Sequence, residues 1–347
     1  MTDRSKKNGE LESGSNDNNN EQGHSMKISR RRFLYLSLAT AATAGTVANA
    51  GVTTNSWLPL VDTVKADFGG ESFEFAWVSD THLYAKNANT RFADKTSKVF
   101  KEIQGMGNNL DFLIFGGDLA HRGRADELNL GRELFDEIAI KKLFIPGEND
   151  WYLDAGEAWT NNFGESPWFF DHKGVRIIGL NTVGQAPDYW SAKKMSPLER
   201  MSHMEALSGT VTGPWAGLGA KQLQWLDKVL SNWNKDAPVL VFTHNPLYEY
   251  YSPWNFWVRD WREVNEILQP YKNVTNIHGH VHQALYQETG SLRSIGMPAM
   301  SWPKAPSSEG ILASINLNDI NKGVGWGKLT MSNKNGDRPV ILTDMFS

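Results

Sequence analysis

Five short segments of this chain carry side chains that bind metal ions through oxygen or nitrogen. They are Asp80-Thr81-His82, Gly116-Gly117-Asp118, Gly147-Glu148-Asn149-Asp150, Thr243-His244-Asn245 and Gly279-His280-Val281-His282. Each follows a short apolar run that reads as a buried strand. Carboxylates are hard ligands and imidazoles borderline ones. Ligands in open α/β sheets collect at the carboxyl ends of strands. Five such sets suggest one dinuclear site, whose ions would lie about 3.5–4 Å apart and share a water or hydroxide.

Asp80 and His82 stand one residue apart at a strand end. Strand alternation would put both on one side, able to bind one ion, with Thr81 placed to donate a supporting hydrogen bond. Gly116 and Gly117 let the backbone turn sharply, and Asp118 can offer one oxygen to each of two ions. His121 lies three residues on and is left as a bystander. His244 follows the apolar run 239–243 and gains its claim from the other segments. Gly279-His280-Val281-His282 is the most specific block: two imidazoles at i and i+2 after a glycine suit ions such as Zn, Fe and Ni. His278 is not assigned to the site.

The order of these blocks resembles the calcineurin-like metallophosphoesterases, whose pattern is D-x-H, G-D, G-N-H-[DE], H and G-H-x-H. The resemblance spans about Phe73 to Pro298. It implies that Asp80, His82, Asp118 and His282 hold one ion, and that Asp118, Glu148, His244 and His280 hold the other. The cofactors it implies are two divalent or trivalent ions (Mn, Fe or Zn). The activity it implies is hydrolysis of a small phosphate-ester substrate, with a metal-bridging hydroxide attacking phosphorus in line. One block departs from the pattern. Glu148 stands where the family has an Asn ligand, and Asn149 where it has a His that assists the leaving group. Asparagine donates a hydrogen bond but transfers no proton near neutral pH. Asp150 matches the family residue that orients that His, so Asn149 and Asp150 are the expected catalytic pair. Slipping the alignment by one residue would make Asn149 the ligand instead. Phosphomonoester and phosphodiester substrates both stay open.

The elements that must position these blocks follow from periodicity. Strands are expected at 73–79, 111–115 and 143–145, with helices at 94–104 and 126–140 between them, which favours a parallel sheet with helices on both faces. A hairpin over 168–181 turns at His172-Lys173-Gly174. A long excursion without period covers 182–217. Helices are expected at 219–233 and 257–268, and strands at 238–242 and 274–277. Short strands follow at 311–315, 326–331 and 340–344. Two packed sheets with outer helices is the natural assembly. It matches the fold the resemblance implies, a four-layer α/β/β/α sandwich of two mixed sheets.

Residues 8–23 are almost devoid of apolar side chains and cannot offset their ordering entropy. Then come Ser29-Arg30-Arg31-Arg32-Phe33-Leu34, a stretch rich in Ala, Leu and Thr, and Ala48-Asn49-Ala50. A basic region, an apolar region and a small-residue site in that order read as a secretory signal, and the Arg pair resembles a twin-arginine (Tat) signal. The expected organisation is a tail and signal over 1–50, a linker over 51–72 and a metallophosphoesterase domain over 73–347. The expected partner is the twin-arginine export machinery, and the expected location periplasmic or extracellular, with cleavage after Ala50. An uncleaved membrane anchor is the alternative.

The chain has no cysteine, so there is no disulfide framework and any metal site must use O and N ligands. It carries 35 basic and 39 acidic residues. Removing residues 1–50 takes away seven and five of these, leaving 28 against 34, which argues against a nucleic-acid partner. Trp151, Tyr152, Trp159, Trp168, Tyr189, Trp190, Tyr250, Tyr251, Trp254 and Trp257 cluster after ligand blocks or in the excursion. They either pack loops onto the core or wall a substrate pocket. A rival to the enzyme reading is an exported metal-binding protein that acts through partner recognition.

Overall fold

The computed structural model describes residues 71–151, 154–184, 216–250, 256–303, 324–332 and 340–346. Residues 1–70, the body of the excursion (185–215), the strand expected at 311–315, and Tyr152, Tyr189, Trp190, Tyr251 and Trp254 lie outside them. Among the described residues no helix is long and apolar enough to cross a membrane.

The first sheet holds β1 (Phe73–Val78), β2 (Phe112–Phe115) and β3 (Lys142–Phe144), all parallel, with β10 (Trp326–Ser332) antiparallel to β1 and β11 (Val340–Phe346) beyond it. The second has the order β4 (Trp168–His172), β5 (Val175–Gly179), β6 (Val239–Thr243), β7 (Val274–His278), β9 (Leu292–Gly296), β8 (Leu285–Thr289). Its inner strands β5, β6, β7 and β9 run parallel, flanked by the antiparallel partners β4 and β8. Both sheets are therefore mixed.

Alternation along the strands explains how the sheets stack. Phe73, Phe75 and Trp77 of β1, Phe112 and Ile114 of β2, Leu240 and Phe242 of β6 and Ile277 of β7 form one core between the sheets. Trp77 stacks on Phe242 with ring centroids 5.7 Å apart. The alternate residues of the first sheet (Ala76, Val78, Leu113 and Phe115) pack on Val99, Phe100, Ile103, Leu128 and Phe135. Those come from α1 (Thr90–Gly105) and α2 (Ala125–Asp136). Val239, Val241 and Val274 pack on α5 (Gly219–Leu230) and α6 (Trp261–Leu268). The strands are apolar on both faces because both are covered. Among the described residues helices cover only the outer face of each sheet, and the inner face of the first sheet meets the second. This corrects the expectation of helices on both faces of one parallel sheet.

Several boundaries also differ from those periodicity predicts. Helix α2 stops at Asp136, where Lys142 Nζ donates to the Phe135 and Ile138 carbonyls at 2.8 and 2.6 Å and ends the turn. Helix α6 starts at Trp261, because Asp260 is turned away to accept from the Leu218 and Gly219 amides that begin α5. Two short helices, α3 (Glu148–Trp151) and α4 (Glu157–Phe163), and the β8–β9 hairpin are additional. The β8 strand is a half-exposed edge rich in Gln, Glu and Thr, and it gives no apolar run to read.

Candidate metal centre

The carboxyl ends of β1, β2, β3, β6 and β7 converge, and each delivers one of the five blocks. The side chains form two buried groups: Asp80, His82 and His282, and Asp118, Glu148, His244 and His280. Within each group the possible ligand atoms lie within 4.8 Å of one another. All seven candidate ligands named from the sequence are thus brought together.

Strand alternation is not what aims them. β1 ends at Val78, and Asp80 and His82 lie beyond it in left-handed backbone, with φ of 55° and 48°. Asp118, His280 and His282 share this conformation, with φ of 54°, 64° and 51°. Non-glycine residues avoid it at a cost of about 1 kcal/mol or more each. Five at one site imply that the surrounding hydrogen bonds over-determine the loops. Asp80 N donates to Gly117 O, His82 N to Asp118 O and Leu83 N to Leu119 O, at 2.7–3.0 Å. His280 N donates to both oxygens of Asp80, at 3.2 and 3.3 Å. Thr81 Oγ1 donates to Leu119 O at 3.0 Å. Close approach requires glycine: a Cβ on Gly147 would fall 2.2 Å from Asp118 Oδ1, and one on Gly279 2.6 Å from Asp80 Oδ2.

Asp118 lies between the groups with its oxygens divided. Oδ2 is 3.5 Å from His82 Nε2 and Oδ1 is 3.5 Å from His244 Nε2. Asp80 Oδ1 lies 3.2 Å from His282 Nε2. Glu148 reaches His244 Nε2 at 2.9 Å and His280 Nδ1 at 2.8 Å. The imidazoles are oriented from behind: His244 Nδ1 meets Gly116 O and His282 Nδ1 meets Trp302 O, each at 2.7 Å. A backbone carbonyl accepts only from an N–H, so each ring carries a proton on Nδ1 and presents Nε2 to the carboxylates.

These donors fit metal ions. Glu148 Oε2 and His244 Nε2 are buried and lie 2.9 Å apart outside good hydrogen-bond geometry, an arrangement that suits a shared cation. Burial alone would lower the pKa of His244, but the Asp118 and Glu148 carboxylates raise it well above the ordinary value. Burial alone would likewise raise Glu148, but His280 and His244 hold its carboxyl well below the usual range. His82 is pushed down to about 3, chiefly by burial, which keeps it a neutral ligand. A field that favours positive charge at His244 and negative charge at Glu148 also favours a cation between them.

Asn149 and Asp150 occupy different places. The Asn149 side-chain amide donates to Asp118 Oδ2 at 2.7 Å. Asp150 is fully buried, and its oxygens accept from the Ala120 and Gly147 amides at 2.9 and 3.0 Å. Burial and the Asp118 charge push its carboxyl up to about 8. It braces the β2 and β3 loops against each other, where an orienting role at residue 149 was expected. His278 is buried against Tyr248 and the Gly279 carbonyl, outside both groups.

Among the described aromatic residues named from the sequence, Trp159 and Trp257 are buried, and Trp151 and Trp168 pack on core clusters. Tyr250 donates to Gln283, next to His282. The rings that flank the ligands were not predicted. Trp302 lies 4.4 Å from the His82 ring and 5.2 Å from His282, and Phe256 lies 4.8 Å from His280. Trp302 reaches the site because Met300 N and Ser301 N donate to the carbonyls of Ser79 and Asp80. That pairing joins residues far apart in sequence and leaves no local signal.

Residues 73–284 match the calcineurin-like phosphoesterase family, and that span holds all seven candidate ligands. The chain belongs to this family. A probable glycerophosphodiester phosphodiesterase from Arcobacter nitrofigilis is 26% identical over 227 residues, covering 59% of this chain and 70% of that relative. A dimetal phosphatase from Danio rerio shares the fold with a TM-score of 0.56 at 15% identity, covering 78% of this chain and 98% of that one. A purple acid phosphatase from yellow lupin (Lupinus luteus) does so at 0.51 and 14%, covering 80% and 54%. The four-layer calcineurin-like architecture is therefore the fold of this chain, and its activity is that of a hydrolase acting on phosphoester bonds. The two ligand groups are consistent with the dinuclear centre of such phosphoesterases.

Proposed function

We propose that this hydrolase prefers phosphodiesters, and that it works outside the cytoplasm after twin-arginine export. Asp80, His82, Asp118 and His282 would hold one ion; Asp118, Glu148, His244 and His280 the other. Bound there, the ions supply Lewis acidity and an activated water. The chain's own residues do the rest. Asp118 sets the spacing of the groups, the Gly116 and Trp302 carbonyls fix the His244 and His282 rings, and Asn149 holds Asp118 from the side.

The observation that carries the diester preference is Glu148. The ligand set contains three carboxylates, so two divalent ions leave a single net positive charge. A diester carries one negative charge, and a monoester carries nearly two at neutral pH. Surplus negative charge in a buried site is costly. Asn149 adds a separate expectation: its amide transfers no proton, so among monoesters and diesters alike the site favours leaving groups that need none. The similarity to a probable glycerophosphodiester phosphodiesterase agrees with the diester preference. The test compares bis(p-nitrophenyl) phosphate with p-nitrophenyl phosphate on metal-analysed protein. Higher kcat/KM for the diester is expected, and a preference for the monoester would overturn the proposal.

The export reading is supported by Arg30-Arg31 before Phe33-Leu34 and by Ala48-Asn49-Ala50. A folded route suits a protein whose metal site draws its ligands from residues 80–282.

A further inference from the structure

Four half-buried rings stand beside the first ligand group: Tyr84, Phe92, His121 and Trp302. Tyr84 stacks on His121 with centroids 4.3 Å apart and planes at 21°, and it lies 6.0 Å from Phe92. Phe92 is 5.7 Å from Trp302, and His121 is 6.1 Å from it. His82, a ligand, sits against both Trp302 and His121, at 4.4 and 5.7 Å. The wall is anchored through main chain. The Trp302 carbonyl accepts from His282 Nδ1, Ser301 N is bound to Asp80 O, and His121 N is bound to Leu83 O.

Core rings in this protein, such as Trp77 and Phe242, are fully buried. These four keep part of their surface exposed directly beside a polar, charged centre. Apolar surface left open beside convergent polar groups marks a ligand pocket. Its occupant must lie next to phosphorus, because the wall touches the ligands themselves. It must present a flat apolar face, because rings of this kind bind by stacking and by area burial. A cationic group, the other ligand that aromatic walls attract, is disfavoured a few ångströms from two metal cations.

We infer that Tyr84, Phe92, His121 and Trp302 form the specificity wall for one ester group of the substrate, and that this group is a planar aromatic one. This rests on the phosphoesterase reading of the centre. Trp302 is the main contact, and Tyr84 sets the far edge through His121.

The test measures binding rather than turnover. Metal-loaded full-length protein is titrated calorimetrically with three phosphinates that have no P–O–C bond to hydrolyse: the monoanions methyl(phenyl)phosphinate and dimethylphosphinate, and the zwitterion methyl(trimethylammonioethyl)phosphinate. The phenyl compound is expected to bind roughly tenfold tighter than the methyl one. Trp302→Ala should reduce that ratio to near one, and Trp302→Phe should keep most of it. Metal analysis accompanies each variant. Should Trp302→Ala lose its ions, Tyr84→Ala, one ring removed from the ligands, must still lower the ratio. Equal binding of the phenyl and methyl compounds by the wild type would overturn the inference, as would tightest binding of the trimethylammonium compound. A ratio unmoved by both Trp302→Ala and Tyr84→Ala would also overturn it. These results are independent of the diester preference: an enzyme that prefers monoesters but shows the ring-dependent ratio would sink the proposed function and leave the wall standing.

Discussion

Asn149 holds Asp118 at both ends of its carboxylate. The side-chain amide donates to Oδ2 at 2.7 Å and the backbone amide to Oδ1 at 2.9 Å. The residue that departs from the family pattern is thus tied to the residue placed between the two ligand groups. A carboxylate that would be shared by two ions needs its plane fixed, and the asparagine at position 149 does this without carrying charge.

Asn149→Ala removes the bond to Oδ2 and keeps the backbone bond to Oδ1. Groups that support a metal ligand are typically worth about 10–100-fold in metal affinity or activity. The expected outcome is a loss in that range, read as earlier metal release in a chelator competition. Asp118→Asn is more severe, because it removes the charge that faces both groups. Activity should nearly vanish and metal content should fall. An active Asp118→Asn protein holding two ions tightly would contradict the bridging role.

Away from the centre, Asp111 joins the two sheets. Its Oδ1 accepts from His172 Nε2 at 2.8 Å and Lys173 Nζ at 2.7 Å, at the β4–β5 turn, and its Oδ2 accepts from Glu74 N at 3.3 Å. Burial would raise its carboxyl, but His172 and Lys173 bring it down to about 2. A depressed folded-state pKa means that the contribution is full above the unfolded value near 4 and is lost as pH falls towards 2. The side chain is one-fifth exposed, so solvent screening leaves about 1 kcal/mol at neutral pH. Urea unfolding of the wild type and Asp111→Asn at pH 5 and 3 should show, at the lower value, about half of the difference found at the higher one. A difference that grows on acidification would exclude this account.

The ligand blocks were legible because each is a short motif at the end of an apolar run, and apolar runs report strands covered on both faces. The conformation that aims the ligands was not. Asp80 and His82 converge through left-handed backbone beyond the strand, so the two side chains meet by a geometry other than the pleat. Asp150 looked like a partner of residue 149, but its contacts are the Ala120 amide of the β2 loop and the Gly147 amide of its own loop, set by packing between strands. Trp302 was invisible because it sits next to His82 only after residues 300 and 301 pair with the end of β1. Long-range pairing of this kind leaves no period in a sequence.

Replacing Arg30 and Arg31 by Lys should leave the protein folded and unprocessed in the cytoplasm. Twin-arginine recognition depends on the paired guanidinium groups, and lysine keeps only their charge. Cell fractionation with mass analysis of the N-terminus provides the measurement. Normal export and cleavage of the double variant would point to the general secretory route.

Glu148→Asn tests the charge argument at its source. Glu148 lies between His244 and His280, at 2.9 and 2.8 Å, so its charge sits within the second ligand group. Asparagine keeps an oxygen donor and removes one negative charge. A unit charge acting over about 5 Å at an effective dielectric near 20 corresponds to about 3 kcal/mol, which counterions and water reduce. Both substrate classes gain from the added positive charge, but a dianionic monoester gains about twice as much as a monoanionic diester. The diester-to-monoester ratio of kcat/KM should therefore fall by roughly tenfold, the equivalent of about 1.4 kcal/mol. Metal affinity should fall as well, so the ratio is measured at saturating metal, where a simple loss of ions would lower both substrates together. A ratio that stays constant while both rates fall would show that Glu148 only holds its ion, and the preference would then have to arise elsewhere in the pocket.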